Sequence, residues 1–268
     1  MPSVSTCTYL TIRHNSVIIS IMPSTHGLPA PDEAEAFLNQ FPNMRSASLI
    51  GPGKLALASA AHLAQGMHEI PRSQVAIDGT HQSNAAHTLD MTLMGIQLAG
   101  SRRPDLDVGR VALGCTLHDL LELYSGDTPI NNELLLETKA ERDAAGLALL
   151  IHDEFANNQV AKDVLLELKA NKTPMAHFVH ALDGFEPLHF DIMNKGATYR
   201  EHGDTYDWLV REKLRKTVED ETIFGLTKYG LQVVASKWDD WGCPEFPGDR
   251  SAYLEEEITR VESSIPRP

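Results

Sequence analysis

The sequence predicts an all-α fold, a bundle of helices packed around an apolar core. Long segments such as 83–99 and 174–194 carry apolar residues at the spacing of a helix face. Valine, isoleucine and threonine never alternate with polar residues over a length that would indicate a sheet. Apolar residues make up 42% of the 268 positions, which is enough for a core of ordinary size.

The expected helices are separated by loops rich in glycine and proline. Residues 71–79 contain proline, aspartate and glycine and are predicted to form a loop, as is the glycine-proline-glycine segment at 51–53. Asp107 is the expected N-cap of one helix, and Gly126 its expected left-handed C-terminal cap. The expected helices are, in chain order, 31–41, 54–67, 83–99, 108–125, 138–156, 159–170, 174–194, 204–235 and 250–263.

Three regions are expected along the chain. Residues 1–31 contain no acidic residue and one arginine, and Arg13 interrupts the apolar run that a signal peptide would need. We expect this segment to be a disordered extension, since chain ends are usually loose. Residues 32–200 are expected to form the core that carries the site, and residues 201–268 a C-terminal helical segment that packs on it.

Charge and cysteine content narrow the class of protein. The net charge of −14 disfavours nucleic acid and anionic membranes as partners, because lysine and arginine supply most affinity for phosphate backbones. A small phosphorylated substrate is compatible with this negative charge, because a bound metal cation reverses the local electric field in a pocket. Three cysteines without a CxxC pair disfavour a secreted disulfide framework. No apolar stretch is long enough to span a membrane, and we expect a cytoplasmic protein.

The first candidate site is the dipeptide His118-Asp119 followed by Glu122. On one continuous helix, residues three and four apart lie on the same face, so these three side chains would share one arc. They stand among apolar residues, where a buried charge is costly unless it is paired or bound to metal. The pattern therefore favours a divalent cation at this helix.

A second His-Asp pair, His152-Asp153, also lies in an apolar run and competes with the first. We favour His118-Asp119, because it is followed by Glu122 and by the turn residues after it. A lone histidine such as His87 is more often a core residue than a ligand, and Lys139 is expected to pair with the acid four residues later.

Five short sequence motifs follow one another along the chain. They are IPRS (70–73), QSNAAHT (82–88), LHDLLELYSGDTP (117–129), KAERDAA (139–145) and FVHALDGFEPL (178–188). In this order they resemble the HD-domain superfamily of metal-dependent phosphohydrolases, and within it the 5'-deoxynucleotidases, over roughly residues 35–195. The resemblance implies an HD-domain helical bundle that binds one divalent metal ion per chain. Mn²⁺, Co²⁺, Fe²⁺, Zn²⁺ and Mg²⁺ all suit such ligands.

The resemblance also implies a role for each site residue. It implies four metal ligands, one residue near the attacking water, one beside the substrate and one that holds the phosphate. The ligands would be His87, His118, Asp119 and Asp183, the water would lie at Glu122, the substrate at Asp127, and the phosphate at Arg72. The implied reaction releases phosphate from a (deoxy)nucleoside 5'-monophosphate or a similar small phosphorylated metabolite. The resemblance suggests a homodimer as well.

Other functions compatible with these motifs stay open. An HD-type phosphodiesterase is one alternative. An alarmone hydrolase is disfavoured because Leu123, and not a second acid, follows Glu122. A di-iron oxygenase would need further histidine ligands that the sequence does not place. A metal-binding HD module without turnover is supported by Ala86, which stands where the family usually has glutamate before the first histidine.

Overall fold

The computed structural model describes residues 10–13, 16–19, 27–41, 56–128 and 133–264, and most of them are helical. The helices are α1 (Pro31–Leu38), α2 (Ala56–Glu69), α3 (Asn84–Arg102), α4 (Val108–Leu117), α5 (Glu122–Ser125), α6 (Glu133–Glu137), α7 (Lys139–Asp153), α8 (Gln159–Ala170), α9 (Pro174–Met193), α10 (Ala197–His202), α11 (Tyr206–Thr217), α12 (Glu221–Lys237) and α13 (Arg250–Ser264). The strands are β1 (Leu10–Arg13), β2 (Ser16–Ile19), β3 (Pro71–Val75) and β4 (His81–Ser83). The prediction of an all-α fold is confirmed.

Two short strand pairs differ from the expectation of no sheet. Strands β1 and β2 pair antiparallel, and β3 pairs with β4. The loop predicted at 71–79 is therefore wrong in part. The chain turns between β3 and β4 through Gly79, whose φ is +82° and whose N–H donates to the Ala76 carbonyl (2.9 Å). An Asp-Gly dipeptide is a common hairpin turn, so this signal indicated a strand pair and not only a loop.

The single helix predicted at 108–125 is interrupted. Helix α4 ends at Leu117 and α5 begins at Glu122, with turns between them. In these turns the Glu122 N–H donates to the Asp119 carbonyl (3.0 Å), a bond between residues three apart instead of four. The cap predicted at Gly126 has the positive φ expected (+73°), but its ψ of 150° lies outside the left-handed helical region.

The helix predicted at 204–235 is two helices, α11 and α12. The Asp220 carboxylate accepts a hydrogen bond from the Ile223 N–H (3.0 Å) and caps the start of α12. Aspartate competes in this way with the continuation of a helix, because its side chain satisfies the backbone donors of a new first turn.

Two compact units are present, and the first contains residues 1–71 and 118–165. In this unit α1 and α5 both pack on α7, and α2 contacts α5. Phe37 and Leu38 of α1 and Leu147 and Leu150 of α7 are buried in its core.

The second unit contains residues 72–117 and 166–268 and is organised around α9. Helices α3, α4, α11 and α12 pack on α9, and α13 packs on α11 and α12. Two glycines allow close contacts. A Cβ at Gly95 of α3 would lie 2.9 Å from Cys115 Sγ in α4, and a Cβ at Gly114 of α4 would lie 3.1 Å from Val179 Cγ2 in α9. These contacts fix α3 and α9 relative to α4.

The expected regions stay predictions in this structure. Within 1–31 the described residues are the strand pair and residues 27–31, and the loop expected at 51–53 lies outside the described residues. The boundaries 32–200 and 201–268 are likewise untested. Among the described helices, none has the combination of length and apolar character that crossing a bilayer requires.

Candidate metal centre

His87 lies in the first turn of α3, and its side chain is completely buried. The Ser83 hydroxyl accepts a hydrogen bond from the Ala86 N–H (3.2 Å) and caps this turn. The cap therefore fixes the backbone from which the imidazole enters the interior.

Both ring nitrogens of His87 contact carboxylates. Nδ1 lies 2.6 Å from Oε2 of Glu186, and Nε2 lies 3.2 Å from Oδ1 of Asp183. Burial lowers the pKa of His87, and so does the charge of Arg72, but the hydrogen bonds to the two carboxylates outweigh both effects. The pKa of His87 is therefore raised above its usual value.

Glu186 lies on α9 and is 1% exposed. Its second oxygen, Oε1, accepts a hydrogen bond from Nε2 of Gln82 (2.9 Å). Burial raises the pKa of Glu186, but the bonds from His87 and Gln82 lower it further, so that the pKa lies below its usual value. This buried carboxylate is thus kept ionised by its two partners.

Asp183 lies one turn earlier on α9, and a third of its side chain is exposed. Arg72, on β3, places Nη2 3.8 Å from Asp183 Oδ1. Its other terminal nitrogen, Nη1, donates to Oδ1 of Asn84, the first residue of α3 (3.0 Å). These two contacts hold the guanidinium beside the Asp183 carboxylate.

His118 and Asp119 lie in the turns between α4 and α5, and each is 9% exposed. His118 Nε2 lies 3.1 Å from Asp119 Oδ2. The sequence argument placed both residues on one helical arc with Glu122, and that part of it is wrong, because the helix ends at Leu117. Glu122 is nevertheless buried as well (6% exposed), at the start of α5.

The structure brings together the four residues predicted as metal ligands. One ligand atom from each of His87, His118, Asp119 and Asp183 lies within 4.8 Å of the ligand atoms of the other three. Two imidazole nitrogens and two carboxylate oxygens form a donor set that suits a divalent ion. Such an ion also offsets the cost of burying ionisable groups together.

The competing pair, His152-Asp153, has a different environment. Its side chains lie at the end of α7 and are 62% and 37% exposed. They contact each other at 2.8 Å, and Asp153 accepts a hydrogen bond from the Tyr124 hydroxyl (3.1 Å). Within the described part of the chain, the pair belongs to no group of three or more converging ligand atoms.

Glu122 has a basic neighbour in Lys139, the first residue of α7. Lys139 forms the predicted ion pair with Asp143 (2.9 Å). Burial lowers the pKa of Lys139, but the charges of Asp143, Glu122 and Asp119 raise it more, and the pKa is raised overall. The lysine therefore stays a cation and counters the acidic groups around it.

Asp127 lies in the segment after α5, which a buried arginine organises. Arg142 is 0% exposed and donates from Nη1 to the Ser125 carbonyl (2.7 Å). Its Nη2 donates to Oγ1 of Thr128 (2.7 Å) and to the Leu135 carbonyl (2.9 Å). Arg142 thus anchors the residues on both sides of Asp127.

Sequence reasoning missed three residues of the hydrogen-bond network that surrounds His87 and Arg72. They are Glu186, Gln82 and Asn84. A signal existed for Glu186, since it stands three residues after Asp183 on a predicted helix and so shares its face. The contacts of Gln82 and Asn84 depend on strand β4, which leads directly into α3 and which no sequence pattern indicated.

This chain belongs to the HD-domain family. The family model described as HD domain matches residues 64–222, more than half of the chain. Among solved structures, it is similar to a predicted metal-dependent phosphohydrolase from Magnetospirillum magnetotacticum MS-1, with 24% identity, 76% of this chain and 98% of the other covered, and a TM-score of 0.59. That likeness shows a shared fold. No curated protein matches the chain.

Proposed function

We propose that this chain is a metal-dependent phosphohydrolase that releases phosphate from a small phosphorylated metabolite. The substrate class we expect is a nucleoside or deoxynucleoside 5'-monophosphate. The observation that carries the proposal is the convergence of four ligand atoms within 4.8 Å. Membership of the HD-domain family supports it, as does the description of the similar Magnetospirillum protein.

In this proposal one divalent ion per chain is held by His87, His118, Asp119 and Asp183. The residues fit such an ion, because both imidazoles and both carboxylates offer a ligand atom to the same small volume. A bound divalent ion polarises a phosphoryl group and lowers the pKa of water toward neutrality. Mn²⁺, Co²⁺, Fe²⁺, Zn²⁺ and Mg²⁺ are all candidates.

Arg72 is the proposed phosphate ligand. Its guanidinium is held beside Asp183 and bonded to Asn84, so the side chain is ordered before a substrate arrives. A planar guanidinium bonds two phosphate oxygens at once, which orients the phosphoryl group as well as binding it. Pre-ordering reduces the entropy that binding costs.

Two acids complete the proposed site. Glu122, buried and close in sequence to Asp119, is the candidate that orients or deprotonates the attacking water. Asp127, in the segment anchored by Arg142, either positions a sugar hydroxyl or protonates the leaving oxygen. We propose the positioning role and the proton-donating role of Asp127 as equal alternatives.

The test is a phosphate-release screen over nucleoside monophosphates and sugar phosphates with each divalent ion, together with measurement of bound metal. We expect one ion per chain and release of phosphate, both lost in His118→Ala. The matched control is His152→Ala, which alters the exposed His-Asp pair and should change neither. Stoichiometric metal without release from any substrate would refute the hydrolase and favour a binding module.

A further inference from the structure

We propose that Glu186, clamped by Gln82, is the positioning residue that fixes the His87 ring with Nε2 directed to the metal. This inference rests on the proposed metal centre. It assigns a role to two residues that lie outside the four ligands, and it predicts how the strength of metal binding is set.

The hydrogen bond at Nδ1 determines which ring nitrogen is available to a metal. An ionised carboxylate only accepts hydrogen bonds, so Nδ1, 2.6 Å from Glu186 Oε2, must carry a hydrogen and donate it. In the neutral ring the other nitrogen, Nε2, then holds the lone pair that a metal needs. Nε2 lies 3.2 Å from Asp183, to which it donates only when the ring is protonated, so a metal that binds Nε2 displaces that proton and leaves the one on Nδ1.

Gln82 prevents Glu186 from leaving this arrangement. Its amide nitrogen donates to Oε1 of the carboxylate (2.9 Å), which leaves Oε2 for His87. Both side chains are buried, at 5% and 1% exposed, so no solvent competes for these bonds. The series of hydrogen bonds from Gln82 through Glu186 to His87 therefore allows one orientation of the imidazole.

The position of Glu186 on α9 joins two parts of the site. Asp183 and Glu186 are three residues apart and lie on the same side of the helix, both in contact with His87. Helix α9 thus presents the proposed ligand Asp183 to the ion. Through Glu186, it also orients the proposed ligand His87 by a hydrogen bond to the ring nitrogen that does not face the ion. A shift of α9 would disturb both together.

A purely structural role makes different predictions. If Glu186 only formed a buried pair with His87, its loss would lower the stability of the fold without selecting a ring nitrogen. A carboxylate that orients a metal-bound histidine typically contributes about 10–100-fold to metal affinity. Metal affinity and the protonated ring nitrogen therefore separate the two roles.

The experiment compares wild type with Glu186→Gln, Gln82→Met and the control Glu201→Gln, which removes an exposed acid of α10. Binding of Mn²⁺ and Zn²⁺ is measured by titration calorimetry. The ring nitrogens of His87 are observed by ¹⁵N NMR in the metal-free protein and assigned with a His87→Asn sample. We expect Nδ1 protonated in wild type, affinity reduced about 10–100-fold in Glu186→Gln, and a smaller loss in Gln82→Met.

Unchanged affinity together with an unchanged ring-nitrogen pattern in Glu186→Gln would overturn the inference. If Glu186→Gln fails to fold, Gln82→Met decides instead, since methionine keeps the length and removes only the amide; wild-type affinity there would overturn it. Failure of wild type to bind either ion would refute the proposed metal centre instead. The metal-free NMR pattern would still show whether Glu186 fixes Nδ1.

Discussion

Gly184 stands beside the proposed ligand Asp183, at the place where α9 crosses α11. A Cβ added there would lie 2.7 Å from Lys216 Cβ and 3.3 Å from Thr217 Cγ2. Lys216 Cβ is attached directly to the backbone, so it cannot rotate away as the end of a flexible side chain can. Replacing Gly184 with alanine must therefore displace one helix from the other.

The size of the effect follows from two opposing contributions. Overpacking of a close contact costs about 1–3 kcal/mol, and alanine gains up to about 1 kcal/mol over glycine inside a helix. The matched control is Gly225→Ala in α12, where a Cβ would meet nothing within 4 Å and only the gain applies. The difference between the two variants thus isolates the strain, about 1–3 kcal/mol in favour of Gly225→Ala.

The assay is thermal unfolding of both variants, followed by circular dichroism with a chelator and again with Mn²⁺. For a chain of this size the strain corresponds to a gap in Tm of roughly 2–12 °C. Because Asp183 moves with Gly184, Mn²⁺ should also raise the Tm of Gly184→Ala less than that of the control. Equal Tm values for the two variants would refute the reasoning about the helix crossing.

Four further outcomes are expected. Arg142→Met should lower the free energy of unfolding in urea by about 1–3 kcal/mol, because Ser125 and Thr128 lose buried donors; an unchanged midpoint would contradict this. Metal affinity by calorimetry should fall with decreasing pH, since protons compete at His87, whose pKa is raised. The stability of the metal-free protein should change with pH in the opposite direction. Protonated His87 stabilises the fold below about pH 6.5, and this stabilisation is lost as the pH rises through the folded-state pKa of His87. Cys115, its pKa raised to about 12 by burial, should resist iodoacetamide until the protein unfolds, as mass spectrometry would show.

The helices of this fold were predictable because their apolar spacing is long and regular. Helix α9 was expected at 174–194 and observed at Pro174–Met193, and α8 was expected and observed at 159–170. Both bury wide apolar faces, so local pattern and tertiary packing favour the same structure. Strands β3 and β4 were missed because each is too short for an alternating pattern to emerge.

The convergence of the proposed ligands was predictable only from the resemblance to a family. Residue spacing alone could relate His118 to Asp119, which are adjacent, but not to His87 or Asp183 on other segments. Glu186 was missed for a similar reason. A helical pattern places it on the same face as Asp183, yet its contact with His87 depends on how α3 packs against α9.

Two of the errors in the predicted secondary structure fall at residues of the proposed site. The predicted helix at 108–125 fails where His118 and Asp119 lie, and the predicted loop at 71–79 fails at Arg72. Helix α9 contains Pro187, which cannot donate the helical hydrogen bond to the carbonyl four residues earlier, that of residue 183. An irregular backbone can direct a polar side chain to a place that a regular helix would not reach. The energetic cost of the irregular backbone is tolerated where the surrounding structure holds that conformation. At these positions the departures from regular helical structure are therefore as informative about the site as the motifs are.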